Sequence, residues 1–264
     1  MDFGFCAGPS AGSIKEPLKA RENILDQGKK EKIKRFLRDY HGGAALALYR
    51  YFRDSYHNLK PTRTVFTEIY RKNDWNDPES VSGTGSNVAA TSIVRDEVAR
   101  LIEDLRVKTL IDAPCGDFNW MRLTNLKGVS YLGVDVVPQL IDHNNNRYGQ
   151  DNIRFQVLDV VKDVLPRADL ILCRDALVHF FFKDVLRTLR NFKKSGAPYL
   201  LTTTFPKHQN VDIKARGRWR PLNLQIAPFN LPSPVRLINE GCTEMGGVFS
   251  DKSLGLWALD EFNC

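Results

Sequence analysis

The sequence lacks paired cysteines. Its five cysteines, Cys6, Cys115, Cys173, Cys242 and Cys264, are odd in number, widely scattered and never arranged as C-x-x-C. That argues against a disulfide framework and against a zinc site, and it points to a reducing, cytoplasmic setting. No apolar run approaches the roughly 20 residues that span a bilayer. The opening MDFGFCAGPSAGS has neither a basic n-region nor a long apolar h-region, so no secretory signal is expected. Asp2 stands where myristoylation requires glycine. No internal repeat is visible. What remains is ordinary globular material: 264 residues, 42% apolar and 26% charged, which excludes collagen, coiled coil and disorder across the whole chain.

The charge is uneven. The chain carries a formal +7, but residues 1–60 hold 12 Lys/Arg against 7 Asp/Glu, a net +5 in less than a quarter of the length. The remainder is close to neutral, so charge alone does not make the main domain a nucleic-acid binder. Residues 1–13 read as a disordered leader. Residues 15–57 read as helical, with Ile24, Leu25, Ile33, Phe36, Leu37 and Tyr40 spaced by threes and fours. Lys29, Lys30, Lys32, Lys34, Arg35 and Arg38 fall in that region. They are either the solvated face of an amphipathic helix or a patch for an acidic partner or RNA. The expected division is therefore a basic helical N-terminal extension, 1–60, and a main domain, 61–264.

Within the main domain, NDWNDPESVSGTGSN reads as a loop. A helix follows, starting near Val88 and striped by Ile93, Val94, Val98, Leu101, Ile102 and Leu105. From residue 108 short apolar runs alternate with helical or loop segments: KTLIDA, VSYLGVDVV, IRFQVLDV, DLILCRD and PYLLTTTF, with helices at 119–125, 138–148 and 181–194. That alternation implies crossover units and a mostly parallel sheet covered on both faces. A Pro-rich stretch then precedes a last strand, SLGLWALDEF. It reads as a substrate-facing loop or an antiparallel edge hairpin.

In such a sheet ligands bind beyond the carboxyl ends of the strands. Those ends are polar here: Asp112 and the turn Ala-Pro-Cys-Gly116-Asp117 after strand one, Asp135 after strand two, Asp159 after strand three, and Arg174-Asp175 with His179 after strand four. Asp135 lies 19 residues beyond Gly116, the distance at which an acid grips a nucleoside ribose. A dinucleotide needs G-x-G-x-x-G for its pyrophosphate. This turn has one glycine, and an aspartate that would repel phosphate. S-adenosylmethionine carries no phosphate and a cationic sulfonium, which suits an acidic turn with Trp120 or Trp75 nearby. The charge pattern favours it over NAD.

These residues resemble the class I S-adenosylmethionine-dependent methyltransferases over 108–205, with a DAPCGDF-x-WM first motif and an upstream ES-x-SG-x-GS loop. Pro114 replaces the first glycine of the usual turn. The resemblance implies a Rossmann-like, seven-stranded sheet with an antiparallel last strand. It places Asp112 and Gly116 beside the methionine and ribose, Asp135 on the ribose, Asp159 beside the adenine amino group, and Arg174 and Asp175 where methyl meets acceptor. Val160 would cover the adenine face. Asp117 and Trp120 would lie beside the cofactor. Ser86, at a glycine-rich helix start, and Arg95, one turn beyond Thr91, would hold the cofactor carboxylate.

Asp175 and His179 are the candidate catalytic residues, with the aspartate polarising the imidazole. Their other reading is a helix cap and a packed histidine. His208, Arg216, Arg218, Trp219 and Arg220 in the late insertion suit a phosphate, carboxylate, sugar or RNA acceptor, or form an ordinary basic loop. No metal constellation is present. The expected activity is methyl transfer to a small-molecule or glycan-type acceptor, at oxygen or nitrogen. The alternatives are an RNA or protein methyltransferase, though an N-P-P-Y-type tetrapeptide is missing after strand four; a non-catalytic nucleoside-binding module; and, more weakly, an NAD-dependent oxidoreductase.

Overall fold

The computed structural model describes residues 60–262. The leader, the helical segment 15–57 and its Lys/Arg run lie outside the described residues. Seven strands form one sheet: β1 (Thr109–Asp112), β2 (Ser130–Asp135), β3 (Ile153–Val157), β4 (Leu170–Cys173), β5 (Tyr199–Thr204), β6 (Arg236–Asn239) and β7 (Ser253–Ala258). Their spatial order is β3-β2-β1-β4-β5-β7-β6. Strands β1 to β5 pair in parallel, and β7 runs antiparallel between β5 and β6. The Rossmann-like sheet read from the sequence is therefore the one observed, and the Pro-rich stretch ends in an antiparallel edge hairpin.

Period-two alternation sends successive side chains to opposite faces. Leu110, Leu170, Leu172 and Leu201 point to one core, with Val94, Val98, Leu101 and Ile102 of helix α2 (Ser92–Asp104) and Ile141 of α3 (Pro138–Tyr148). Ile111, Ile171, Cys173 and Leu200 point to the other, with Val185, Leu189 and Phe192 of α4 (Phe182–Lys194). These α4 residues recur at spacings of four and three, while Lys183, Arg187 and Arg190 stay exposed, which is why one stripe of α4 docks. Pro138 opens α3, where its missing N–H costs no hydrogen bond. A first helix, α1 (Thr62–Lys72), precedes the glycine-rich loop.

Two expectations need correction. The stretch 119–125 forms only a short 3-10 turn at Met121–Leu123. Helix α2 begins at Ser92 rather than near Val88, because the preceding N–H groups find other partners: Val88 donates to Glu79 Oε1 at 2.7 Å and Ala90 to Asn87 Oδ1 at 2.8 Å.

All five parallel strands deliver their C-terminal ends to one rim. β7 starts at that rim, since Ser253 pairs with Thr204. The chain order reverses between β1 and β4, which makes that junction the topological switch point.

Candidate active site

Asp112 closes β1, Asp135 closes β2, and Asp159 lies two residues past β3, so all three acids stand on the rim. Asp112 is 3% exposed and accepts the Tyr131 hydroxyl at 2.8 Å. Burial lifts its pKa to about 7, against the pull of that hydroxyl, and Asp135 adds repulsion. Burial also lifts Asp135 to about 6, although backbone N–H groups of Val137, Gly116 and Val136 oppose the shift. Asp159 is buried. Its Oδ1 accepts the Val161 N–H at 3.1 Å, and Lys162 lies 3.6 Å from its Oδ2. Val160 packs into the α4-side core rather than standing open on the rim.

The glycine-rich loop is stitched onto the turn after β1. Asp117 accepts hydrogen bonds from the Ser80 hydroxyl at 2.9 Å, the Val81 N–H at 2.9 Å and the Ser82 hydroxyl at 3.3 Å. Its N–H donates back to Ser82 Oγ at 3.1 Å. The Asp117 carboxylate is thus committed to the loop. Asn119 Nδ2 donates to Glu79 at 2.6 Å and to the carbonyl of the buried Ser86 at 3.2 Å. Gly116 has φ +54°, and a Cβ there would come within 2.3 Å of Ser82 Oγ, so both its conformation and its neighbour require glycine. Asn144, fully buried on α3, supports the turn from below by donating to the Gly116 carbonyl at 2.8 Å. Arg95 braces the start of α2. Its Nη1 donates to Val88 O at 2.6 Å and Thr91 Oγ1 at 2.8 Å.

Beyond β4 lies a buried ionic tetrad. Arg174 Nη2 meets Glu240 Oε2 at 2.6 Å, and its Nη1 donates to Gly85 O at 2.7 Å. Its guanidinium carbon sits 5.5 Å from the Trp120 ring centroid. Lys252 Nζ pairs with Asp175 Oδ2 at 2.5 Å and lies 3.4 Å from Glu240 Oε2. Burial pushes Asp175 up, but Lys252 and Arg174 outweigh it and hold the carboxyl below its ordinary range. Burial works against the charge on Lys252, yet Asp175 and Glu240 leave its pKa raised. Arg174, Asp175 and Lys252 are therefore charged at neutral pH.

Asp175 does not hold His179, the partner expected from the four-residue spacing. Asp175 sits at φ +52°, and a 3-10 turn, Leu177–His179, carries the histidine. His179 instead packs against Trp75, with ring centroids 5.2 Å apart. Burial drives its pKa down to about 4 despite the nearby Asp175 charge. Asp175 Oδ1, His179 Nδ1, Glu240 Oε1 and Arg174 Nε are buried without a hydrogen-bond partner among the described residues. Four such atoms in one region mark a place where a ligand can complete the bonding.

The late insertion also differs from expectation. Arg220 turns inward, donating to Leu177 O at 2.8 Å and Phe180 O at 2.6 Å. Arg216 pairs with Asp184 at 3.0 Å and donates to Thr62 Oγ1 at 2.6 Å. Only Arg218 and Trp219 of that group stand exposed. Sequence reasoning missed Lys252 and Glu240. The one available signal was a lysine directly ahead of the largely apolar run SLGLWA, where a charge must find a partner.

A seven-stranded sheet of order 3-2-1-4-5-7-6, with only β7 antiparallel to its neighbours, decides the architecture. The chain has the class I methyltransferase fold. Human N-acetylserotonin methyltransferase, solved with S-adenosylmethionine, matches it with a TM-score of 0.52 and 14% identity over 84% of this chain and 68% of that one. Magnesium protoporphyrin IX methyltransferase from Synechocystis PCC 6803, solved with S-adenosylhomocysteine, matches with a TM-score of 0.50 and 15% identity over 78% and 97%. Among curated proteins, magnesium-protoporphyrin O-methyltransferase of Rhodobacter capsulatus is 27% identical over 113 residues, 42% of this chain. That match spans half the length of the curated relative. No protein-family model matches.

Proposed function

We propose that this chain is an S-adenosylmethionine-dependent methyltransferase acting on a small-molecule or glycan-type acceptor, at oxygen or nitrogen. The observation that carries the reading is the pair of buried carboxylates, Asp112 and Asp135, at the ends of adjacent strands beside a single-glycine turn. Such a pair attracts a cation and repels a pyrophosphate. The names of the structural neighbours and of the curated relative support the same class of reaction.

When bound, the cofactor supplies a methyl group on a sulfonium, which is already a good leaving group. The rest falls to the chain. Asp135 would accept the ribose hydroxyls, and Asp112 with the Gly116 backbone would border the methionine portion. Asp159 would face the adenine edge. Val160 is a weaker candidate there, since it packs inward. The loop-side wall would be Ser86, Asp117, Trp120 and Arg174, with Arg95 holding the helix start behind it. The acceptor would enter over β4 and β5, past Asp175 and His179, and be held in line with the methyl–sulfur axis. Asp175, kept ionised by Lys252, would accept a hydrogen bond there through its free Oδ1. The RNA reading loses two of its arginines, Arg216 and Arg220, to internal contacts.

Titration calorimetry tests the assignment. We expect micromolar affinity for S-adenosylmethionine, about −8 kcal/mol, and at least a tenfold loss in Asp135→Ala. Unchanged affinity in that variant overturns the ribose assignment. Absence of binding overturns the reading itself. Transfer of a labelled methyl group to cell-extract fractions then separates enzyme from binding module, and nuclease-sensitive label identifies an RNA acceptor.

A further inference from the structure

A second histidine stands on the same rim with better credentials as a base. His208 Nδ1 lies 3.2 Å from Asp251 Oδ2, and the same oxygen accepts the Lys207 N–H at 2.8 Å. Asp251 is 7% exposed, so its carboxylate is fixed in place. A carboxylate on Nδ1 sets the tautomer and leaves Nε2 as the proton acceptor. His179 has no such partner.

The surroundings are aromatic. Phe205 and Phe249 pack against the imidazole, and Trp219 packs against both of them. Phe205 lies 5.8 Å from it and Phe249 5.6 Å, while Trp219 and Phe249 are 4.7 Å apart. Phe205 is wholly buried, but Trp219 is 42% exposed. The segment around Phe249 also exposes Met245 and Val248. A partly exposed aromatic surface with a histidine at its edge fits a flat ring system.

Position connects this cluster to the proposed chemistry. His208 follows the end of β5 by four residues, and Asp251 directly precedes Lys252, whose ammonium binds Asp175 beyond β4. Asp175 N–H also donates to Thr203 Oγ1 on β5 at 2.8 Å. Neighbouring strands lie about 4.8 Å apart, so the cluster flanks the acceptor side of the rim within one or two strand spacings.

We propose that the acceptor is an aromatic hydroxy compound seated against Trp219 and Phe249, with His208 as general base and Asp251 as its positioning residue. The inference rests on the methyltransferase reading. The hydroxyl proton passes to His208 Nε2 and then to water. The oxygen forms its bond to the methyl carbon as the carbon–sulfur bond breaks, and that electron pair stays on sulfur as a neutral thioether.

The test uses the full chain with catechol, caffeic acid and 2-naphthol as probes. Calorimetry with S-adenosylhomocysteine comes first, and its failure counts against the methyltransferase reading itself. With the enzyme saturated, we expect at least one probe to bind and Trp219→Ala to weaken it at least tenfold. Binding of none of the three overturns the acceptor class. With labelled S-adenosylmethionine, His208→Asn and His208→Gln should bind the probe within threefold of wild type yet lose at least a hundredfold in turnover. Asp251→Asn should shift the pH–rate profile and the His208 titration seen by NMR. Turnover within threefold of wild type in both His208 variants, with melting temperatures unchanged, overturns the base assignment.

Discussion

Lys252 and Asp175, 77 residues apart in sequence, close an ion pair at 2.5 Å that joins the start of β7 to the end of β4. Glu240 and Arg174 complete the group, and the Arg174 side chain reaches the carbonyl of Gly85. The late part of the chain is thereby tied to the glycine-rich loop through a relay of ion pairs and hydrogen bonds, to which the Thr84 hydroxyl adds a bond to Glu244 Oε1 at 3.1 Å.

Removing one member leaves its largely buried partners without a counter-ion. Lys252→Met should destabilise the fold by about 3 kcal/mol, a fall in melting temperature of roughly 6–12 °C for a domain of this size. The double variant Lys252→Met with Asp175→Leu should recover part of that loss. Thermal unfolding of both checks it, and an unchanged melting temperature in the single variant would show the pair to be energetically idle.

Gly116→Ala combines a left-handed backbone with a collision against Ser82 Oγ. The expected cost is about 1–3 kcal/mol, with at least a tenfold weakening of S-adenosylmethionine binding because the turn must shift away from the loop. Gly196 makes a useful control. It also has positive φ, but a Cβ there would meet nothing, so Gly196→Ala should lose stability without losing cofactor affinity.

Asp117 anchors the loop through its carboxylate. Asp117→Ala should leave the sheet folded while raising amide hydrogen exchange across residues 79–88 at least tenfold. Exchange confined to its wild-type rate would mean that Glu79 and Asn119 hold the loop unaided.

The buried carboxylates predict a pH dependence. Asp112 titrates near 7 and Asp135 near 6 in the folded state, against about 3.9 when unfolded. Between those values the native protein holds protons that the unfolded chain has released, so these groups lose stability as pH rises from about 4 to 7. His179, depressed to about 4, works in the opposite sense below about 6.5. Asp112→Asn isolates the first effect. It should be more stable than wild type, by a margin that grows between pH 5 and pH 8 in urea unfolding. Wild-type affinity for S-adenosylmethionine should rise over pH 6 to 8, and more steeply than for S-adenosylhomocysteine, which lacks the sulfonium charge, as the two acids ionise.

Most of the sheet was legible because its signals are local. The runs KTLIDA, IRFQVLDV and DLILCRD each name a strand and its polar end, and Pro138 marks the start of α3 to the residue. The first turn of α2 was misplaced because Glu79 and Asn87 supply caps that hold residues 88–90 out of the helix. The tetrad and the His208–Asp251 pair were illegible for a different reason. Arg174 lies 66 residues from Glu240, Asp175 lies 77 from Lys252 and His208 lies 43 from Asp251, and only the antiparallel return of β7 brings these partners to the rim. The four-residue spacing of Asp175 and His179 misled because the backbone there is a left-handed residue followed by a 3-10 turn, not an α-helix.

The Ser80–Asp117 and Arg174–Gly85 contacts have a practical corollary for anyone recombining this scaffold with relatives. A graft that swaps the segment after β5 to change acceptor preference would strand Arg174 and Asp175 opposite foreign side chains. Glu240 and Lys252 must travel with the insert, or the chimera will inherit two uncompensated ions at the carboxyl rim of its own sheet.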